Sequence, residues 1–295
     1  MSSFSPEVMT NARAEKVKAV ARLANRKGRE ATGEFLVEGP QAVREALKAH
    51  LTDDNLVQAV YVVGGFLESH EEFEQLLDQT QVPTRIVTGE VLHAMADTQT
   101  PQGILAVAAI AQPQLSEVLA AKPKLIAVLC RVQDPGNAGT VLRAADAAGA
   151  DAVILTKGSV DIYNPKAVRS TVGSIFHLPV LSNIEFEHLV QAAKATGNQI
   201  LAADGYGAKN LDELQDAAVL RAHASGEGPE ADQPALESST IWLFGNEGQG
   251  LEESEKQAAD HAVAVPLYGV AESLNVGTAA TVCLYASARA QRSAK

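Results

Sequence analysis

An unbroken apolar run, LIAVLC (Leu125 to Cys130), leads straight into RVQDPGNAGTVLRAADAAG, residues 131–149. Asp-Pro-Gly after such a run, followed by apolar positions at helical spacing, predicts a strand, a tight turn and a helix. A strand apolar on both faces suits a parallel sheet, whose crossovers are helices. A turn that opens a helix also offers backbone N–H groups and a positive dipole end to an anion or nucleotide. Neither G-x-G-x-x-G nor G-x-x-x-x-G-K-[ST] occupies it. The turn instead carries Asn137, with Arg143 six residues later. Val141, Leu142, Ala145 and Ala148 form the apolar face of the helix. Gly139, Arg143 and Asp146 share another face, which sets Arg143 near the mouth of the turn with Asp146 able to orient it.

The alternation extends both ways. Strands are expected over 125–130, 152–156, 198–203, 240–244 and 262–267, and helices over 138–148, 164–173, 185–196 and 273–292. This is an α/β domain over 125–295 with a mainly parallel sheet covered on both faces. Upstream, a helix over 11–29 carries Val17, Val20 and Leu23 as one stripe. Strands at 35–39, 59–64, 84–87 and 103–110, with helices from Pro40 to Ala49 and over 71–79, complete a smaller α/β domain over 1–111. Residues 112–124, with two prolines and a short helical core, read as a linker, and 222–239 (AHASGEGPEADQPALESS) as a mobile acidic loop.

A net charge of −12 speaks against a nucleic-acid partner if taken whole. The charge is unevenly spread, however. Asp204 to Asp260 holds thirteen acidic and three basic residues, whereas the first thirty residues carry seven bases against three acids. Of these bases Arg13, Lys16, Arg22, Arg26, Lys27 and Arg29 are the candidate nucleic-acid contacts; such a run is either a solvated helix face or a footprint for phosphates. The start has neither the basic nor the apolar segment of a secretory signal, and no apolar run reaches bilayer length. Cys130 and Cys283 lie far apart in apolar segments and read as buried thiols. A cytoplasmic protein is expected.

Two further stretches stand out. In WLFGNEGQGL (242–251) a strand ends in a turn with three glycines, which is either a tight strand-to-helix connection or a place for close ligand approach. In VPLYGVAESLNVGTAATVCLYASAR (265–289) a strand, a loop and a helix starting near Ser273 follow one another. Ser273 is open to a reading as helix cap and Asn275 as turn residue. Gly277, Ala279, Ala280, Ala286 and Ala288 suit close packing against a partner helix.

Together and in order, N-x-G-x-x-x-R (137–143), L-F-G-N-E-G (243–248) and S-L-N-V (273–276) resemble the three motifs of the SpoU branch of the SPOUT RNA methyltransferases. KGSVDIYNPKAVRSTVGSIFHLPV (157–180) is similar to the segment that family carries between its first two motifs. FLVEGPQAVREAL resembles the ribosomal-protein-like substrate-binding domain often fused ahead of it, so the resemblance covers roughly 11–295. It implies a C-terminal α/β trefoil-knot domain, a rare exception to ordinary chain connectivity. It also implies a homodimer through that domain, with Arg143 acting near the other subunit's cofactor. S-adenosylmethionine is implied as cofactor, held by Gly245, Asn246, Glu247, Gly248, Val265, Leu267, Leu274, Asn275 and Gly277. No metal is implied, because the sulfonium is already an activated donor. The implied activity is 2′-O-ribose methylation of RNA, 23S ribosomal RNA first and tRNA as the nearest variant. Arg143, Asn137, Glu247, Ser273 and Asn275 are the implied catalytic residues. A guanidinium, with a reference pKa of about 12.5–13.8, is a poor base, so Arg143 is read as stabilising the developing alkoxide or the neighbouring phosphate. Position 277 is Gly where many relatives carry Ser, which puts one cofactor-loop hydrogen bond in question. A noncatalytic RNA-binding or ribosome-assembly protein on the same fold is disfavoured by the intact Arg143, Glu247 and Asn275. A Rossmann-type small-molecule enzyme is disfavoured by the missing glycine fingerprint.

Overall fold

The computed structural model describes residues 4–223 and 233–293. It divides into two compact units, Met1–Ala111 with Asp161–His177, and Gln112–Val160 with Leu178–Lys295.

The first unit runs β1 (Phe4–Met9), α1 (Glu15–Ala21), α2 (Arg26–Thr32), β2 (Glu34–Glu38), α3 (Pro40–His50), β3 (Val57–Val63), α4 (Glu71–Thr80), β4 (Thr84–Val87), α5 (Gly89–Met95) and β5 (Ile104–Ala109). Its sheet has the order β1-β4-β3-β5-β2, with β5 antiparallel to both neighbours. Val17, Val20 and Leu23 are buried against it as their spacing requires. The single helix expected over 11–29 is instead broken. A 3₁₀ turn spans Arg22–Ala24, and Asn25 is extended at φ −101°, ψ 143°. The break has a visible cause. Arg29 Nη1 donates to the carbonyls of Leu23 (2.7 Å) and Ala24 (3.0 Å), capping the end of the first segment. Gly28 permits the fold-back, since a Cβ there would lie 2.1 Å from the carbonyl oxygen of Arg22.

Arg29 therefore departs from its expected role at an RNA surface. It is 3 % exposed, and its Nη2 and Nε reach Asp161 Oδ2 at 2.6 and 3.1 Å. Arg13, Lys16, Arg22, Arg26 and Lys27 stay exposed, Arg26 paired with Glu30 at 2.7 Å.

The second unit contains α6 (Leu115–Ala120), β6 (Leu125–Leu129), α7 (Pro135–Ala148) and β7 (Ala152–Thr156). After α8 (Pro165–Thr171), which belongs to the first unit, come β8 (Val180–Ile184), α9 (Phe186–Ala195), β9 (Gln199–Ala203), β10 (Lys209–Asn210) and α10 (Leu211–His223). The rest is β11 (Thr240–Phe244), α11 (Glu253–Ala258), β12 (His261–Ala264) and α12 (Val276–Ser293). The seven strands are ordered β10-β12-β9-β11-β6-β7-β8, and every pairing is parallel, as the apolar runs dictate. Leu129, Phe244 and Ala203 stand in register, so the carboxyl ends of β6, β11 and β9 share one edge. α7 and α12 pack against each other, and buried Trp242 donates from Nε1 to Ser287 Oγ at 2.9 Å. Cys130 and Cys283 are free and buried, and burial pushes both thiols up, Cys283 to about 12.

The short helical core of the 112–124 linker is α6, whose Leu115, Val118 and Leu119 join the core around Ile126 and Leu189. The 222–239 loop keeps residues 222 and 223 in α10, and Ala235 and Leu236 are buried. Its centre, 224–232, lies outside the described residues. No described helix is long and apolar enough to cross a membrane.

Asp161–His177 is fastened into the first unit at several points. Tyr163 and Phe176 pack on Phe35 with ring centroids 4.9 and 6.0 Å away, and Arg169 pairs with Glu38 and Asp97. Replacing Arg29 by Ala leaves Asp161 and two carbonyls without their donor. A loss on the order of 3 kcal/mol is expected, read by urea unfolding, whereas Lys27→Ala on the same helix should stay within about 0.5 kcal/mol.

Candidate active site at the carboxyl edge of the parallel sheet

In α/β sheets of this kind ligands bind beyond the carboxyl ends of the strands. Here that edge carries three turns. The first follows β6. Asp134 caps α7, its Oδ1 accepting from Asn137 N at 2.8 Å, with Pro135 in the first turn. The helix so begins at Pro135, ahead of the expected 138, and Asn137 lies inside its first turn.

The second turn follows β11. Asn246 N and O pair with Gly250 O and N (3.0 and 2.8 Å), which pinches residues 246–250 into a closed loop. Asn246 Oδ1 accepts from Gly248 N and Gln249 N, and Asn246 Nδ2 donates to Arg131 O at 2.9 Å. A Cβ on Gly245 would stand 2.3 Å from the carbonyl carbon of Gly250, so only glycine allows this closure.

Glu247 joins the two turns. Its Oε2 accepts from Gln133 N (3.1 Å), and its Oε1 from Asp134 N (3.1 Å) and Asn137 Nδ2 (3.2 Å). Partial burial works to raise its pKa, but these donors and its own backbone N–H outweigh that and hold the carboxyl below its ordinary value.

The third turn precedes α12. Asn275 Nδ2 donates to Asn137 Oδ1 at 3.0 Å, while Asn275 Oδ1 accepts from Gly277 N at 2.8 Å. Asn275 rather than Ser273 therefore opens α12, which starts at Val276. Ser273 is exposed, and no described hydrogen bond ties it to Glu247, Asn137 or Asn275. A Cβ at Gly277 would come within 2.8 Å of Thr140 Cγ2 and 3.1 Å of Asn275 Oδ1. A serine at 277 therefore requires space that Thr140 occupies in this chain, and the backbone N–H of Gly277 serves Asn275 directly.

Val265 and Leu274 are half-buried, Leu267 is 39 % exposed, and Tyr268 donates its hydroxyl to Asp212. Arg143 is exposed on α7, above the buried face of Val141, Leu142, Ala145 and Ala148. Gly139, expected beside it, is buried. Six residues of helix are about 9 Å along the axis and about 240° around it, so Arg143 does not join the Glu247 cluster of its own chain.

Arg131 is a residue that the motif spacing left unmarked. At φ 55° it bends the chain leaving β6, and its guanidinium reaches Glu255 (3.1 and 2.8 Å) and Glu252 (3.1 Å). The Glu255 hydrogen bond is the main cause of its raised pKa. Glu252 and Glu255 form a capping box on α11; this E-x-x-E spacing, next to the Gly-rich turn, was the available signal.

These loops offer backbone donors, amides, apolar side chains and one anionic carboxylate. That set fits S-adenosylmethionine: apolar positions for the adenine, and the Glu247 charge near a sulfonium cation. Among the described residues no cluster of three or more His, Cys, Asp or Glu is placed to hold a metal.

Comparison with known proteins agrees with this architecture. Residues 124–285 match the SpoU rRNA Methylase family, and residues 14–106 match an MRM3-like substrate binding domain. A Bacillus subtilis protein named 23S rRNA (guanosine(2553)-2′-O)-methyltransferase RlmP is 34% identical, over 93% of this chain and 96% of its own length. A Streptomyces viridochromogenes 23S rRNA (uridine(2479)-2′-O)-methyltransferase is 30% identical over 91% and 87% of the two chains. The crystal structure of the SpoU methyltransferase AviRb from Streptomyces viridochromogenes with the cofactor AdoMet superposes with a TM-score of 0.76 at 25% identity, covering 96% of this chain and all of that one. The fold and site define an S-adenosylmethionine-dependent methyltransferase built on a parallel α/β sheet. The chain belongs to the SpoU rRNA Methylase family.

Glu247→Gln should weaken binding of the cofactor product S-adenosylhomocysteine about tenfold, the scale of one charge-assisted hydrogen-bond set, as read by calorimetry. The wild-type advantage is complete above the ordinary carboxylate range and is lost as pH falls through the lowered folded value. Calorimetry on the Gln variant should show no such acid limb.

Proposed function

We propose that this chain methylates a ribose 2′-hydroxyl of 23S ribosomal RNA, as a homodimer. The observation that carries the reading is the Glu247–Asn137–Asn275 chain, which locks the three motif loops into one cofactor seat. The two relatives named above act on a guanosine and a uridine of 23S ribosomal RNA, which supports the RNA class without choosing the nucleotide.

When bound, S-adenosylmethionine supplies a methyl group on a positively charged sulfur. The chain's own residues have two tasks. Glu247, held ionised by its donors, would give the seat a negative charge that favours a positively charged sulfur. The ribose hydroxyl would pass its proton to solvent water as its oxygen takes up the methyl, and negative charge would gather on that oxygen on the way. A fixed guanidinium stabilises that oxygen or the adjacent phosphate through two parallel donors. Arg143 is exposed and displaced from its own Glu247, a placement that suits service to a partner's seat.

The homodimer reading draws on α12. Gly277, Ala280, Ala286 and Ala288 are buried within their own chain, so they are spent on packing inside the protomer. Val282 (37 % exposed) and Tyr285 (49 % exposed) are the apolar side chains left for a second copy. Threading of the C-terminal segment into a knot and residence in the cytoplasm with the ribosomal RNA belong to the same proposal.

Mapping 2′-O-methyl groups on 23S ribosomal RNA incubated with and without the protein tests the reading. A new mark on 23S ribosomal RNA is expected; a mark on tRNA alone would redirect it. Arg143→Ala should bind cofactor normally and turn over roughly a hundredfold more slowly, the scale of one lost oxyanion donor. Arg143→Lys should remain impaired, because an ammonium lacks the planar fork. Mixing Arg143→Ala with Glu247→Gln protomers should restore part of the activity if the guanidinium acts across the dimer.

A further inference from the structure

The first unit contains a cavity of about 210 Å³ that has no part in the cofactor seat. It lies where β2 turns into α3, against the segment 96–105 and Arg169 of α8. Glu38 is its innermost polar group, with its side chain 5 % exposed. One Glu38 oxygen accepts from Asp97 N (2.9 Å) and Thr98 N (3.0 Å), and the other from Arg169 Nη1. Arg169 Nη2 also reaches Asp97 Oδ2 at 3.0 Å.

Three properties of this cavity narrow its occupant. The charge is already matched: Arg169 stands between two carboxylates, so a phosphate finds no free cation here. Hydrogen-bonding capacity is left over on both sides. The outer Glu38 oxygen keeps one acceptor site, Arg169 keeps donors beyond the two it spends, and the Gln102 side-chain amide offers a donor and an acceptor. The remaining wall sets apolar Pro101, Ile104 and Leu105 beside the hydroxyl-bearing Thr98 and Thr100. The volume is smaller than the roughly 300–1,000 Å³ of drug-sized sites.

An uncharged flat ring with alternating donors and acceptors on its edge meets all three conditions. Unpaired RNA bases are read in this way, by edge hydrogen bonds in a pocket of one-base size. Gly39 supports the design. Its φ is +89°, and a Cβ there would stand 2.8 Å from Gln102 Oε1, so any larger residue would push Gln102 from the rim.

We infer that the Glu38–Arg169–Gln102 cavity is a receptor for one unpaired nucleobase of the RNA substrate, read at its hydrogen-bonding edge. This rests on the proposed RNA substrate, and it goes beyond it by separating base reading in the first unit from methyl transfer in the second.

The test uses the full chain and fluorescent pentaribonucleotides UUXUU, with X as A, C, G, U or an abasic ribose, followed by anisotropy. At least one base at X should bind about tenfold tighter than the abasic pentamer, the scale of a paired base-edge contact. Gln102→Ala breaks no described ion pair. It should remove most of that preference and leave the abasic affinity and the unfolding midpoint unchanged; Thr100→Val should lower the preference further. Equal binding of all five pentamers, no binding by any, or a preference untouched by both substitutions overturns the inference. S-adenosylhomocysteine binding and 23S ribosomal RNA methylation, measured on the same samples, keep the outcomes apart. Their loss in the wild type sinks the proposed function, whereas equal pentamers beside normal methylation sink only the pocket.

Discussion

Glu247 is the point at which turns from three stretches of the chain become one site, its bond to Asn137 spanning 110 positions. Its two oxygens receive two backbone N–H groups of the β6–α7 turn and the Asn137 amide, and Asn137 passes the constraint on to Asn275. A neutral side chain would make weaker bonds to the same donors. The rest of the site depends on it. The β11–α11 loop is closed by its own Asn246–Gly250 bridge, but that bridge alone does not set the loop against α7. Arg131 adds a second tie through Asn246 on one side and Glu255 on the other. The proposed cofactor seat is thus held mainly by polar contacts at the rim of a rigid apolar sheet, and such contacts respond to charge and pH in a way the core does not.

Much of this was legible in the sequence. The five strand runs of the second unit, largely apolar, pointed to the central strands of a covered parallel sheet, and all five appear in it. Asn137, Glu247 and Asn275 stood in three motifs whose order marked them, and the structure brings them within hydrogen-bond reach. What escaped were features decided by distant partners. The helix over 11–29 has the right periodicity, but local pattern cannot foresee that the Arg29 guanidinium takes the carbonyls of Leu23 and Ala24. Arg29 also looked like one more surface base, because its partner Asp161 lies 132 positions away. α11 hid behind a glycine-rich turn. Ser273 read as a cap and Asn275 as a turn residue, and the geometry gave the cap position to Asn275.

The two parts of the proposed chemistry make different demands on the fold. A cofactor seat needs loops fixed to within fractions of an ångström, and closed backbone bridges and carboxylate ties supply that. Reading RNA needs exposed bases and a surface that accepts a single-stranded segment. The exposed Arg13, Lys16, Arg22, Arg26 and Lys27 sit on the first unit, while the acidic stretch around α10 lies in the second. The net negative charge of the chain is therefore compatible with a basic face where polyanion contact is wanted.

The first unit is assembled from two pieces of chain separated by about fifty residues of the second. During synthesis, β1 to β5 leave the ribosome first, yet the carboxylate for Arg29, the ring stacks on Phe35 and the arginine for Glu38 all arrive with Asp161–His177. At roughly 5–20 residues per second, the early piece waits several seconds with a buried-type guanidinium and an apolar strand face uncovered. Vectorial folding, one domain finished before the next begins, is closed to this chain. Its N-terminal half is completed only after β6, α7 and β7 have been made, so maturation of the two units is linked in time by the order of the chain itself.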